Sequence, residues 1–345
     1  EVIANFYNVK GCCYADFKKY DKAIACFDKA YNTLYDKRTE NSPSKFASLL
    51  NKSEAYFMLK RYDDAYATFS EYVETSRNKY GETSGTYSQA LFTLANIEGA
   101  RGNINEADSL FRMSMNSLLV NMKQLWRYST PSQREQFWME TLNNLSGMAA
   151  FAVKCGNFDS ELTETCYNAL LFSKSLLLET EKSVVDIIRE EGTNDDIANY
   201  RNLLAVNNRL LVLRNNYEYN KLEIDSLTIQ QRELEQQLSH KCQTYNEYET
   251  YLDINYEKVR NSLADHEVVV DFSDYKTEDS VRQYAAYIYD KDKSYPLLVK
   301  CFDQQQLDSL LDGMQNYTLY NYEQLQNRAS KLIWNPIEAS IANGS

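Results

Sequence analysis

The sequence predicts a mainly α protein: a right-handed solenoid of stacked helix pairs, then long antiparallel helices, then a small incomplete α/β unit. Three observations predict it. A unit near the start recurs at a fixed interval. Helix formers such as Leu, Glu, Lys and Gln are common, whereas Gly (10) and Pro (4) are scarce across 345 residues. At residue 266 the texture changes to short β-branched and aromatic runs.

The recurring unit reads Gly11, Tyr14, Tyr20, Ala23, Phe27, Ala30. It returns as Ser53, Tyr56, Tyr62, Ala65, Phe69, Tyr72, and more weakly as Ala95, Glu98, Ile104, Ala107, Phe111, Ser114. The central alanines are 42 residues apart (65 − 23 and 107 − 65). A period of roughly 20–50 residues marks stacked repeats. One helix pair cannot bury its apolar face alone, so neighbours stack. The small residue lets two helix backbones approach, and Tyr and Phe fill the space between pairs.

Each element follows in order. Residues 1–16 and 21–36 are the first helix pair, turning at Tyr20-Asp21-Lys22. Thr39 to Ser44, with Pro43, is a loop. Residues 45–59 and 63–78 form the second pair, and the glycines at 81 and 85 break the chain. Residues 87–101 and 105–127 form the third, turning at Gly102-Asn103. These three repeats make a domain over 1–127.

This pattern resembles the tetratricopeptide repeat in a 42-residue form. In that family the first helix of each pair lines a concave groove that binds a protein or peptide. The resemblance implies groove residues Asn5, Asn8, Cys12, Leu50, Glu54, Phe57, Gln89, Phe92 and Asn96. Chaperone-binding members clamp a terminal carboxylate with Lys, Arg and Asn. The comparable positions here, Asn8, Cys12, Asn51, Gln89 and Thr93, hold no cationic pair, so that ligand class is not expected. The alternative is that these residues pack against another part of the same chain.

Beyond residue 128 the period fades into a degenerate repeat and long helical hairpins, 128–264. Ser129-Thr130-Pro131, with Gln133 and Glu135, reads as a helix start. The helix 132–154 carries Phe137, Trp138, Leu142 and Leu145 on one stripe. Helices 159–190 and 195–218 follow. Leu227, Leu234, Leu238, Tyr245, Tyr248, Leu252, Tyr256, Val259 and Leu263 then form an apolar seam on one long helix. Its expected partner is 195–218 extended by 159–190, with homodimerisation through 226–263 as the competing arrangement.

Residues 265–345 form the α/β unit. Strands are expected at 267–272, 283–289 and 295–302, and helices at 304–315 and 319–341, the last kinked or restarted at Pro336. The run Tyr167 to Leu178 resembles the segment that joins repeats to a CHAT domain. So do Leu263 to Phe272, Tyr284 to Tyr287 and Tyr295 to Val299 as an ordered series. CHAT domains are similar to caspases and separase, cysteine peptidases with a His/Cys pair on a parallel sheet. The family's His-Gly and Ser-Ala-Cys contexts do not occur in this sequence, whose two histidines are His240 and His266. The resemblance therefore implies an N-terminal part of such a domain, with no catalytic residue in this chain.

Composition narrows the function classes. A formal charge of −12 without a basic patch argues against nucleic acid and anionic membrane. No apolar run reaches about 18 residues, so no spanning helix is expected. The chain begins at Glu1 with neither Met nor signal peptide, and reads as an excised piece. Seven cysteines show no paired or zinc-binding spacing, which suits a reducing, cytoplasmic setting. The acids Glu190-Glu191 and Asp195-Asp196 read as solvated helix ends. No metal or other cofactor is expected. Two function classes stand: the interaction and regulatory half of a caspase-like peptidase, not itself an enzyme, or a non-enzymatic scaffold for protein assembly.

Overall fold

The structure is a computed structural model that describes residues 1–34, 42–126, 131–178, 192–214, 217–241, 253–277, 279–312 and 322–342. The chain forms two compact units, one of residues 1–128 with 193–241 and the other of 129–192 with 242–345. The region 128–264 is thus divided between both.

The first unit opens with three helix pairs: α1 (Val2–Asp16) and α2 (Tyr20–Asn32), α3 (Pro43–Met58) and α4 (Tyr62–Tyr80), α5 (Gly85–Arg101) and α6 (Ile104–Trp126). The pairs stack in chain order, α2 on α3 and α4 on α5. Ala23, Ala65 and Ala107 are fully buried, as are Phe27, Phe69 and Phe111 within 1 %. The 42-residue repeat is therefore a packing repeat.

The third turn lies at Gly102-Asn103 as expected, but the first differs from the sequence reading. Tyr20 already begins α2, and the turn lies at 17–19. Lys18 adopts the left-handed conformation, and so do Lys60 and Gly102 at the two equivalent positions. That conformation ends each first helix, because the next two amides bond back into its last turn, as Lys18 N to Ala15 O (2.7 Å) and Lys19 N to Tyr14 O (2.9 Å) do. Ser42 and Ser84 cap α3 and α5 by accepting Lys45 N and Tyr87 N, both at 3.2 Å. The same unit holds α9 (Asn194–Arg214) and α10 (Tyr217–Lys241), a helical hairpin that also touches α4.

The expected continuous seam helix over 226–263 is corrected. Helix α10 spans Tyr217–Lys241, and Asp253, Ile254 and Asn255 are not helical. Asn255 caps a separate short helix, α11 (Tyr256–Ser262), by accepting Lys258 N at 2.9 Å. Leu227 is half-buried and Leu234 buried in the first unit, whereas Tyr256 belongs to the second. Of the first half of the seam proposed for a homodimer, Leu234 is thus buried within the chain, and the side chain of Leu238 lies outside the described ones. Its members Tyr245, Tyr248 and Leu252 lie outside the described residues, as do the helix start at Ser129-Thr130, residues 179–190 and Glu191.

The second unit contains α7 (Pro131–Cys155), α8 (Glu161–Leu178), α11, strands β1 (Val269–Lys276), β2 (Arg282–Tyr289) and β3 (Leu297–Asp303), then α12 (Gln304–Asp312), α13 (Tyr322–Ile333) and α14 (Asn335–Ala342). Helix α8 packs on α7 and α11. The strands form an antiparallel sheet in the order β1-β2-β3. The parallel sheet implied by the peptidase resemblance is not what these three strands make. Short connections explain this, since parallel strands need crossovers of a dozen residues or more. Both faces of β2 are covered, which is why it reads as an almost unbroken apolar and aromatic run. Ala286 and Ile288 face Ile337 of α14, whereas Tyr287 and Tyr289 meet Tyr167 of α8. The interruption expected at Pro336 is present, between α13 and α14.

Candidate functional site

The groove residues fall on the first helices, at positions one repeat apart. Asn5, Ala47 and Gln89 are equivalent, as are Asn8, Leu50 and Phe92, and Cys12, Glu54 and Asn96. Asn5, Glu54, Gln89 and Asn96 are exposed, Leu50 is 40 % exposed, and Cys12, Phe57 and Phe92 are half-buried. These residues of α1, α3 and α5 make up the candidate strip, in which α1 and α3 are in contact. The alternative that they are packed against the rest of the chain does not describe the exposed ones.

Asn8 is a correction. It is 4 % exposed and works across the α1–α3 contact. Its Nδ2 donates to Ser44 O (2.8 Å), and its Oδ1 accepts from Ser48 Oγ (2.9 Å). A carboxamide with both ends bonded between helices is a structural tie rather than a groove donor. Leu50 and Phe92, apolar at the same repeat position, cannot make such a tie.

The strip is otherwise an acidic and amide surface. Asn51 Nδ2 donates to Cys12 Sγ at 3.4 Å. Burial raises the Cys12 thiol, the Asp16 carboxylate raises it further, and Cys13 and Glu54 add to this. Cys12 is therefore a protonated thiol rather than a nucleophile. Asp16 thus joins Glu54 on the strip. Sequence reasoning missed Asp16, although its place one turn beyond Cys12 signals it. Thr93 Oγ1 and Asn96 Nδ2 bond back to Gln89 O (3.0 Å) and Phe92 O (2.9 Å) of their own helix. Phe57 packs on Tyr62 at 5.2 Å, and Phe92 edge-on to Phe111 at 5.2 Å, so both rings are anchored. A shallow recess lies beside Asn5, between Glu1, Val2, Pro43, Ser44 and Ala47.

A second polar constellation lies in the other unit. Tyr289 OH donates to Tyr167 OH (3.1 Å), which donates to Asp271 Oδ2 (3.4 Å), and Lys174 pairs with the same carboxylate. Tyr256 N bonds Asn168 Oδ1 (2.6 Å), and its OH donates to Lys293 O (2.8 Å). Burial raises the Tyr167 and Tyr289 hydroxyls and lifts that of Tyr256 to about 12. All three are neutral donors at ordinary pH.

No nucleophile and base meet among the described residues named here. His266 is an exposed turn residue with φ 71°, and Cys301 on β3 is half-buried with its thiol pushed up to about 11 by burial. The side chain of His240 lies outside the described ones. Among the described residues no group of three His, Cys, Asp or Glu side chains could hold a metal ion. Among them, too, no helix is long and apolar enough to cross a membrane.

Residues 4–32 match the tetratricopeptide repeat family model. That span covers most of α1 and all of α2, so the first helix pair is a repeat of this type. Such repeats generally mediate protein–protein interaction. No curated protein matches the chain.

Proposed function

We propose that this chain is a non-enzymatic protein-interaction scaffold that receives a partner segment along the strip of α1, α3 and α5. The observation that carries it is the exposure of Leu50, Glu54, Gln89 and Asn96 on the first helices of consecutive stacked pairs. Glu1, Asp16 and Glu54 supply only negative charge there. Complementarity then favours a segment bearing Lys or Arg, with an aliphatic side chain for Leu50 and Phe92. A nucleic acid would meet repulsion from the same surface. The test is selection from a random peptide library on the purified chain. Basic, aliphatic-containing binders are expected, lost on Leu50→Asp with Glu54→Lys. Binders that are acidic, or that hold the double variant equally well, would refute the groove.

A finer reading is that the scaffold is the regulatory half of a CHAT-type cysteine peptidase. Support comes from where the resembling segments lie. Tyr167 and Lys174 of the first reach Asp271 of the second, and Tyr167 meets Tyr287 of the third at 5.3 Å. The pieces recognised in sequence therefore pack into one body, which could pass a signal from helices to sheet. A longer polypeptide containing this chain, but lacking His-Gly and Ala-Cys strands after it, would rule this reading out.

A further inference from the structure

Helix α10 carries apolar residues on two opposite sides. Ile224, Gln231 and Leu234 are buried, on a helix that packs on α9 and α4. Tyr219, Leu222 and Ile229 are 75 %, 88 % and 59 % exposed. At 3.6 residues per turn, residues two apart point in nearly opposite directions. Leu222 is therefore turned away from Ile224, and Ile229 from Gln231. The outer stripe is distinct from the seam of Leu227 and Leu234, which faces inward.

Tyr219, Leu222, Ser226, Ile229 and Glu233 follow at steps of three, four, three and four. That is the spacing by which one helix packs along another in a coiled coil, and the charges flanking such a stripe set partner and orientation. Asp225 and Arg232 flank it on one side. Both are exposed, and neither has an ion pair or hydrogen bond among the described residues. Seven residues apart, they lie about 10 Å from each other along the axis, too far to pair within the helix. Glu223, on the other flank, is already taken by Arg209 Nε at 2.9 Å.

We propose that this stripe is a homodimer contact, in which α10 packs antiparallel on α10 of a second copy, about a two-fold axis between residues 227 and 228. An isologous contact must be complementary to itself, and this register is. Asp225 meets Arg232 of the second copy, and Arg232 meets its Asp225. Ile229 packs beside the small Ser226 of the second copy, and Leu222 lies along the stem of its Glu233. A parallel pairing would instead set Glu233 against Glu233 and leave Asp225 and Arg232 beside Gln230 and Gln237, without opposite charges. Three apolar side chains from each copy make a small contact, below the roughly 1,200 Å² of stable complexes, so the dimer is of the transient class.

Sedimentation velocity of the full chain over a concentration series tests this. A monomer–dimer equilibrium is expected, abolished by Ile229→Asp. Asp225→Arg and Arg232→Asp are each expected to raise the dissociation constant by about tenfold or more, because each sets like charges together. The double variant carrying both is expected to regain the original dissociation constant, and an equal mixture of the two single variants to form a heterodimer. These charge variants lie on an exposed flank, so they read the contact even if Ile229→Asp disturbs the fold. A chain that stays monomeric at every concentration would overturn the proposal. So would self-association that survives Ile229→Asp, which would place the contact elsewhere, or single charge variants that associate as the original does.

Discussion

The ring of Phe27 occupies the space that a side chain on Gly11 would need. A β-carbon at residue 11 would lie 2.4 Å from Cε1 of that ring and 2.7 Å from Cδ1. Phe27 is 1 % exposed, so the ring has little room to withdraw. Gly11→Ala gains about 1 kcal/mol of helix propensity. Overpacking costs about 1–3 kcal/mol, and with a contact this short it takes the upper part of that range. A net loss of about 1–2 kcal/mol is expected in urea unfolding followed on the first unit. Gly85→Ala is the control. Nothing lies within 4 Å of its added carbon, and its φ is not in the left-handed region, so a gain of about 0.4–1 kcal/mol is expected.

Glu98 carries a buried charge held by its neighbours. It is 1 % exposed, and its carboxylate takes Arg101 Nη1 at 2.7 Å and Asn103 Nδ2 at 2.6 Å. Tyr14 and Tyr56 stand at the equivalent positions, so the third repeat replaces an aromatic with an ion pair. Arg101→Ala strands the carboxylate and is expected to cost about 3–5 kcal/mol. Glu98→Leu with Arg101→Met is expected to recover most of that loss, and denaturant midpoints of the single and double variants measure it.

Asn8 and Leu50 occupy equivalent repeat positions with opposite expected phenotypes. Asn8→Ala removes two buried hydrogen bonds and is expected to lower stability by about 1–3 kcal/mol while leaving peptide binding unchanged. Leu50→Ala is expected to weaken binding of selected peptides and to shift the unfolding midpoint by less than about 1 kcal/mol. Titration calorimetry and urea unfolding on both variants separate the two roles.

The tyrosines of the second unit predict an alkaline transition. Burial raises Tyr167, Tyr256, Tyr287 and Tyr289 above their ordinary value in the folded state. A group with a raised folded pKa contributes stability that is complete below its unfolded value, near 10 for tyrosine, and lost as pH rises beyond it. The unit is therefore expected to unfold above about pH 10, with tyrosinate absorbance at about 295 nm appearing together with loss of near-ultraviolet dichroism. Tyr167→Phe leaves the Tyr289 hydroxyl without its acceptor and is expected to cost about 1–3 kcal/mol at neutral pH. Tyrosinate forming well before structure is lost would show these hydroxyls to be accessible.

The periodic sequence determined the helix pairs, their spacing and their packing residues. Ala23, Phe27 and their equivalents are legible because a repeat fixes the same contact at each step. The kink at Pro336 and the strand β2 are likewise local, set by a missing amide and by a run of β-formers. Tertiary structure decided the rest. The apolar residues from Leu227 to Leu263 look like one seam, yet periodicity records only which side of a helix is apolar, not where the helix stops or what covers it. Asn255 ends that ambiguity by capping a new helix whose Tyr256 joins the sheet. The groove shows the same division. Its positions follow from the repeat, but whether a polar residue there is open, as Asn96 is, or tied between helices, as Asn8 is, depends on how closely α1 and α3 approach. That distance is set by the small side chains and rings packed between pairs, which only the assembled array brings together.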